Sequence, residues 1–179
     1  YDHMGAMAAI KKQTGAKFYV NEGDAATAAS GGATDYEMGK YGATYQPVKA
    51  DKILKDKKII SLGGMNITLL NHPGHTTGSC SYLFTVKDSS RSYTVLIANM
   101  PTIISDRRFE EITSYPGISE DFARTLKEMK KLHFDIWVAS HASQFGLPEK
   151  HQPGAVYDPS VFMDKQSYME YLTELQKDY

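Results

Sequence analysis

The chain has 179 residues, 41% of them apolar and 23% charged, with a net charge of -1. That is enough apolar matter for one packed domain and too little positive charge for a partner held by phosphate or anionic lipid. The lone cysteine, Cys80, excludes an internal disulfide without fixing a compartment, and no run has the apolar length of a transmembrane helix.

In chain order, Asp2 to Thr14 reads as a helix. Met4, Met7, Ala8 and Lys11 share one face, Asp2 is placed to cap the first turn, and Gly15 is a natural stop. Ala16 to Val20 is a short strand, and Glu22 to Ala29 an alanine-rich helical segment ending at Gly31-Gly32. Residues 33 to 44, rich in glycine and tyrosine, read as an ordered loop with a helical turn. Lys57 to Leu62 and Met65 to Leu70 are strands joined by Gly63-Gly64, a strong hairpin signal. Cys80 to Val86 and Tyr93 to Ala98 form a second pair around a polar turn.

Met100 to Gly117 is irregular. Ser119 to Leu132 is a helix capped by Ser119, with Phe122, Leu126 and Met129 on its buried stripe and His133 at its end complementing the dipole. Phe134 to Ala139 is a buried strand running into His141. Pro148 and Pro153 bound a loop, and a last helix runs from Ser160 to Lys177. Hairpins in the middle and strand–helix alternation afterwards predict an α/β fold, with a mixed sheet and helices on one side.

The chemistry concentrates at strand and helix ends. Asp2 and His3 are adjacent at a helix start, His75 lies in the glycine-flanked turn Asn71-His72-Pro73-Gly74-His75-Thr76-Thr77-Gly78-Ser79, and His141 follows the apolar strand. An aspartate and three histidines are the donor set of a zinc hydrolase, which leaves one position open for water. Ser140 and Ser143 are candidates for holding ligands in place. His72 reads as structural, His151 as solvated, and Cys80 as a small buried apolar side chain.

These residues resemble the metallo-β-lactamase superfamily. His75 with its turn is similar to the second metal motif, Tyr1-Asp2-His3-Met4-Gly5 to the end of the His-x-His-x-Asp-His signature, and Ser140-His141-Ala142-Ser143 to the last histidine motif. The likeness covers essentially the whole chain and is nearest to the GOB-type enzymes of the third subclass. It implies an αβ/βα sandwich of which residues 1–179, as a single incomplete domain, supply the later portion. The first two ligands of the signature are then expected before Tyr1.

The resemblance also implies Zn2+, one ion or two, as cofactor. Asp2, His3 and His141 would form one complete site, and His75 would belong to the other. Asp2 would be the catalytic carboxylate, and the reaction an opening of the β-lactam ring of antibiotics by a zinc-bound hydroxide. Asn99, Thr102 and Tyr115 are expected at the substrate on the strength of loop position. Met100 stands where relatives place a zinc-binding cysteine or a bridging aspartate, and a thioether cannot bridge two hard ions. It is therefore expected beneath the site, and it argues against a thiolester hydrolase.

The expected partner is a small β-lactam, without nucleic acid or membrane; the preceding segment as a separate chain is a further expected partner. The expected compartment is the periplasm. The alternatives are another hydrolase of the same fold, acting on a lactone, thiolester or phosphodiester, and an inactive truncated domain.

Overall fold

The computed structural model describes residues 2–179, so Tyr1 of the first motif lies outside the described residues. The chain opens with a run of turns over residues 2–6, and helix α1 begins only at Met7 (Met7–Thr14). Asp2 therefore caps no helix, which corrects the expected boundary. The stop is as expected: Gly15 takes a left-handed conformation and returns its N–H to the Lys11 carbonyl.

Strand β1 (Tyr19–Asn21) leads through a 3₁₀ turn at Glu22–Asp24 into α2 (Ala25–Ser30). It pairs in parallel with β2 (Lys52–Leu54), a strand of three residues, too short to show an alternating pattern. Phe18, Ala28 and Val48 form the small core of this unit, and Met4, Met7 and Ala8 pack against it.

The main sheet has five strands in chain order: β3 (Ile59–Leu62), β4 (Met65–Asn71), β5 (Cys80–Lys87), β6 (Ser92–Ala98) and β7 (Ile136–Ala139). All neighbours are antiparallel except β6 and β7, which the intervening helix α3 (Ile118–Met129) makes parallel. Both expected hairpins form, and Gly63 and Gly64 carry the positive φ angles of the first. Helix α4 (Leu147–Lys150) occupies part of the expected proline-bounded loop. After a 3₁₀ turn at Pro159–Phe162, α5 (Lys165–Asp178) closes the chain.

Leu96 of β6 and its partner Trp137 of β7 lie on one sheet face, under Leu126 and Met129 of α3 and Tyr168 and Leu172 of α5. The Tyr168 hydroxyl donates to the Met129 carbonyl at 3.0 Å, fastening the two helices to each other. Ser119 is not the cap of α3. Gly117 holds that position, and the Ser119 hydroxyl lies 3.1 Å from that of Tyr179. His133 is exposed and stands beyond the helix end, where Lys130 is the C-cap.

This topology collects loops at one edge. The end of β4, the start of β5 and the ends of β6 and β7 lie side by side there, as their register requires. His75, Asn99, Met100, Thr102, Ser140 and His141 follow those ends.

Candidate metal centre

Asp2 and His3 sit in the turns before α1, and His141 immediately beyond β7. The structure brings them together from opposite ends of the chain. His3 Nε2 lies 3.1 Å from His141 Nε2. Asp2 Oδ2 lies 3.4 Å from the first nitrogen and 3.6 Å from the second. An ion that binds nitrogen and oxygen at about 2.0–2.2 Å in a tetrahedron needs donors spaced by roughly 3.3 Å, and these three edges match one tetrahedral face. The residues present therefore fit zinc. Each of the three side chains is about half exposed, so the face is open to solvent on this chain.

Burial is the largest single influence on the Asp2 carboxyl and pushes it up, but the lowering influences led by His3 and its own backbone, with His141, together hold it below the ordinary carboxylate range. It is an anion at neutral pH, as a ligand must be.

His75 occupies the turn between β4 and β5. Its Nδ1 is 2.8 Å from the Thr102 carbonyl, which can only accept. The proton is thereby on Nδ1, and Nε2 keeps its lone pair for a ligand. The Thr102 hydroxyl lies 3.0 Å from the same nitrogen, so Thr102 orients His75 as well as facing the cavity.

The turn itself is gripped from two sides. Beneath it, Thr125 of α3 donates to the Pro73 carbonyl at 2.7 Å. The Phe122 ring lies flat under Gly74, where a Cβ would come within 3.0 Å of it; Gly74 also has φ of +134°, so only glycine fits. Above it, the 3₁₀ turn after β1 interlocks with residues 76–78. Asp24 Oδ2 accepts from the Thr76 hydroxyl at 2.7 Å and Oδ1 from the Gly78 N–H at 3.0 Å. Sequence reasoning missed Asp24, because it sits in a segment that reads as the exposed start of a helix; its isolation before an alanine run was the only available signal.

Asp2, His3, His75 and His141 line one cleft of about 1080 Å³. Asn99, Met100, Thr102 and Ser140 line it too. Met100 is 2% exposed and belongs to the core cluster of Leu96 and Trp137. The Asn99 N–H donates to Ser81 Oγ at 3.0 Å, and its Nδ2 is buried without a hydrogen-bond partner. Cys80 also borders the cleft; burial raises its thiol pKa, and the sulfur lies 3.4 Å from the Tyr82 hydroxyl.

Tyr115 corrects the expectation. It is buried in a separate cluster with Ile112, Ile118 and Phe122, and its hydroxyl donates to Asp121 at 2.6 Å. It is not among the cleft's lining residues, and its loop position misled because the loop folds inward.

No family model matches the chain. Solved structures do. The metallo-β-lactamase GOB-18 from Elizabethkingia meningoseptica is 57% identical with a TM-score of 0.98, over 100% of this chain and 66% of that one. The class B3 di-zinc metallo-β-lactamase LRA-12 from an Alaskan soil metagenome is 56% identical with a TM-score of 0.99, over 100% of this chain and 68% of that one. A β-lactamase from Chitinophaga pinensis is 52% identical with a TM-score of 0.98, over 100% and 68%. The chain thus spans about two thirds of the length of each, from 66% to 68%.

Proposed function

The chain belongs to the class B3 metallo-β-lactamases, and from that membership we propose that it serves in zinc-dependent hydrolysis of the β-lactam amide. One observation carries the reading to these residues: the triangle of Asp2 Oδ2, His3 Nε2 and His141 Nε2 has edges of 3.1 to 3.6 Å. Those three side chains would hold one zinc ion, and His75 would offer its Nε2 to the second position. When bound, zinc acts as a Lewis acid and lowers the pKa of a water from about 16 to about 7.

The chain's own residues do the rest. Asp2, ionised at neutral pH, is the anionic ligand, and it orients the water that attacks the ring carbonyl. Thr102 fixes the His75 tautomer through its carbonyl. Asn99 is assigned to the substrate by its place at the cleft wall, where its N–H is held by Ser81 Oγ. Met4, Met7, Phe18 and Tyr45 supply an apolar wall suited to the substituents of a β-lactam, while Met100 packs beneath. Ser140 borders the same space beside His141.

The domain is read as the later portion of the sandwich, which would receive further ligands from other segments. The compartment that goes with this reaction is the bacterial periplasm, where β-lactams act, and the outcome for the cell is antibiotic resistance. Among the described residues no helix is long and apolar enough to cross a membrane.

The test is Asp2→Ala in the intact protein, with a chromogenic cephalosporin beside a thiolester. Turnover of the cephalosporin should fall by more than about a hundredfold, the upper range for losing a mere outer-shell partner. Near-normal turnover by the variant, or a preference for the thiolester, defeats the proposal.

A further inference from the structure

The polar grip on the upper side of the His75 turn has no counterpart in the reading above. Asp24 meets that turn with both carboxylate oxygens, one on the Thr76 hydroxyl and one on the Gly78 N–H. The contact is reciprocal: the Thr77 hydroxyl donates to the Gly23 carbonyl at 2.8 Å. The two backbones are in direct contact. A Cβ on Gly23 would lie 2.4 Å from the Thr77 oxygen, and one on Gly78 would lie 2.4 Å from the Asp24 nitrogen. A surface carboxylate that merely caps a local turn does not need such an interlock with a segment 52 to 54 residues away. Asn21, three residues before Asp24, adds a bond from its Nδ2 to Asn71 Oδ1 at 2.5 Å, tying the same turn's entry.

The geometry points to Asp24 as a positioning residue for His75: it fixes the backbone from which the imidazole is aimed, and thereby sets the affinity of the metal position that His75 serves. The inference rests on the proposal that His75 is a metal ligand. It assigns Asp24 no contact with metal or substrate. The division of labour is physical. Thr102 sets the ring's tautomer through Nδ1, α3 supports the turn from beneath, and Asp24 holds the residue after His75 by its side chain and the third residue after it by its backbone. A half-buried carboxylate with two donors converging on it is held firmly, because an oxygen that loses its donor is left a partly desolvated acceptor.

The experiment uses the intact protein loaded with cobalt(II) in place of zinc, read by visible absorption and by competition with a chromogenic chelator. Asp24→Ala should weaken the His75-dependent metal position by about tenfold, in the range seen for groups that orient a ligand. It should leave the metal at Asp2, His3 and His141 unchanged. Asp24→Asn, which keeps an oxygen for the Gly78 N–H and an amide for Thr76, should recover most of the loss. His75→Ala and the double variant should bind alike, since Asp24 acts only through His75. If Asp24→Ala does not fold, Thr76→Val removes one of the two contacts, and a smaller loss at the same position is expected.

Unchanged affinity and spectrum in Asp24→Ala or Thr76→Val, while His75→Ala loses the metal position, overturns the role of Asp24 alone. Unchanged binding in His75→Ala overturns the ligand assignment and this inference with it. A fall in melting temperature with metal binding intact shows a structural role only and likewise overturns it.

Discussion

Two histidines three residues apart in one turn meet opposite fates, and the difference is solvent. His75 faces the cleft, with its Nδ1 proton on a carbonyl. His72 is 2% exposed and its Nδ1 lies 2.6 Å from Ser81 Oγ, whose oxygen also accepts from the Asn99 N–H. Burial pushes the His72 pKa down from its ordinary 6.5 to about 4, against a weaker upward pull from Asp56. A base depressed in the folded state binds its proton more readily when unfolded. Its contribution is therefore whole above pH 6.5 and is lost as the pH falls through about 4. Urea unfolding at pH 7 and pH 4.5 should show a loss on the order of 2 kcal/mol from this group. His72→Asn, which cannot titrate, should remove that part of the pH dependence, and an equal slope in the variant would contradict the account. The residue types of this site were legible because chemistry restricts them: a carboxylate beside an imidazole just before a helix, with two more imidazoles after strand ends, has few other uses. Asp24 and Tyr115 were not, because a side chain's partner across 50 residues or an inward-folding loop leaves no local pattern.

At the scale of elements, α3 is both a core helix and the floor of the site. Leu126 and Met129 face Leu96 and Trp137, while one turn earlier Phe122 stacks on Phe109 with ring centroids 5.2 Å apart and lies beneath Gly74. Phe122→Ala should cost about 3–5 kcal/mol, the usual range for emptying a buried aromatic position. Because the cavity opens directly under the His75 turn, the variant should also loosen that turn, seen as faster amide exchange at Gly74 and Thr76 than at β6. Destabilisation with unchanged exchange there would mean that α3 supports the core and not the site.

The elements themselves were mostly readable. The hairpin at Gly63-Gly64 is fixed by two positive φ angles that few other dipeptides supply, and the stripe of α3 by its period. The misreadings share a cause: a local signal overruled by a distant contact. Ser119 is an ideal N-cap type, yet its hydroxyl pairs with Tyr179, 60 residues on, and Gly117 starts the helix. Asp2 likewise has the right chemistry for a cap, but the turns over residues 2–6 direct it to His141. β2 exists only because β1 lies beside it, since three residues with two exposed carry no periodicity.

At the scale of the molecule, the two faces of the main sheet are treated unequally. The face of Leu96 and Trp137 is sealed by α3 and α5, and these two residues are 0% and 1% exposed. The register places Ile67, Phe84, Val95 and Ile136 in one row on the opposite face, and Leu69, Tyr82, Ile97 and Val138 in the next. Of these eight only Leu69 and Val95 are buried; the other six keep partial exposure. A mostly antiparallel sheet can leave one face in water, but a face that carries contiguous apolar side chains there drives association. The 179-residue polypeptide by itself should therefore enhance the fluorescence of a hydrophobic dye and sediment as a concentration-dependent mixture. Replacing Phe84 and Ile97 by threonine, which keeps strand propensity while removing apolar area, should reduce both signals. The helical face offers the internal control, because the same two measurements should not respond to polar substitution at exposed positions of α5 such as Gln166 or Lys177. A monodisperse monomer that leaves the dye dark would show that the residual exposure of six side chains is too scattered to act as a surface.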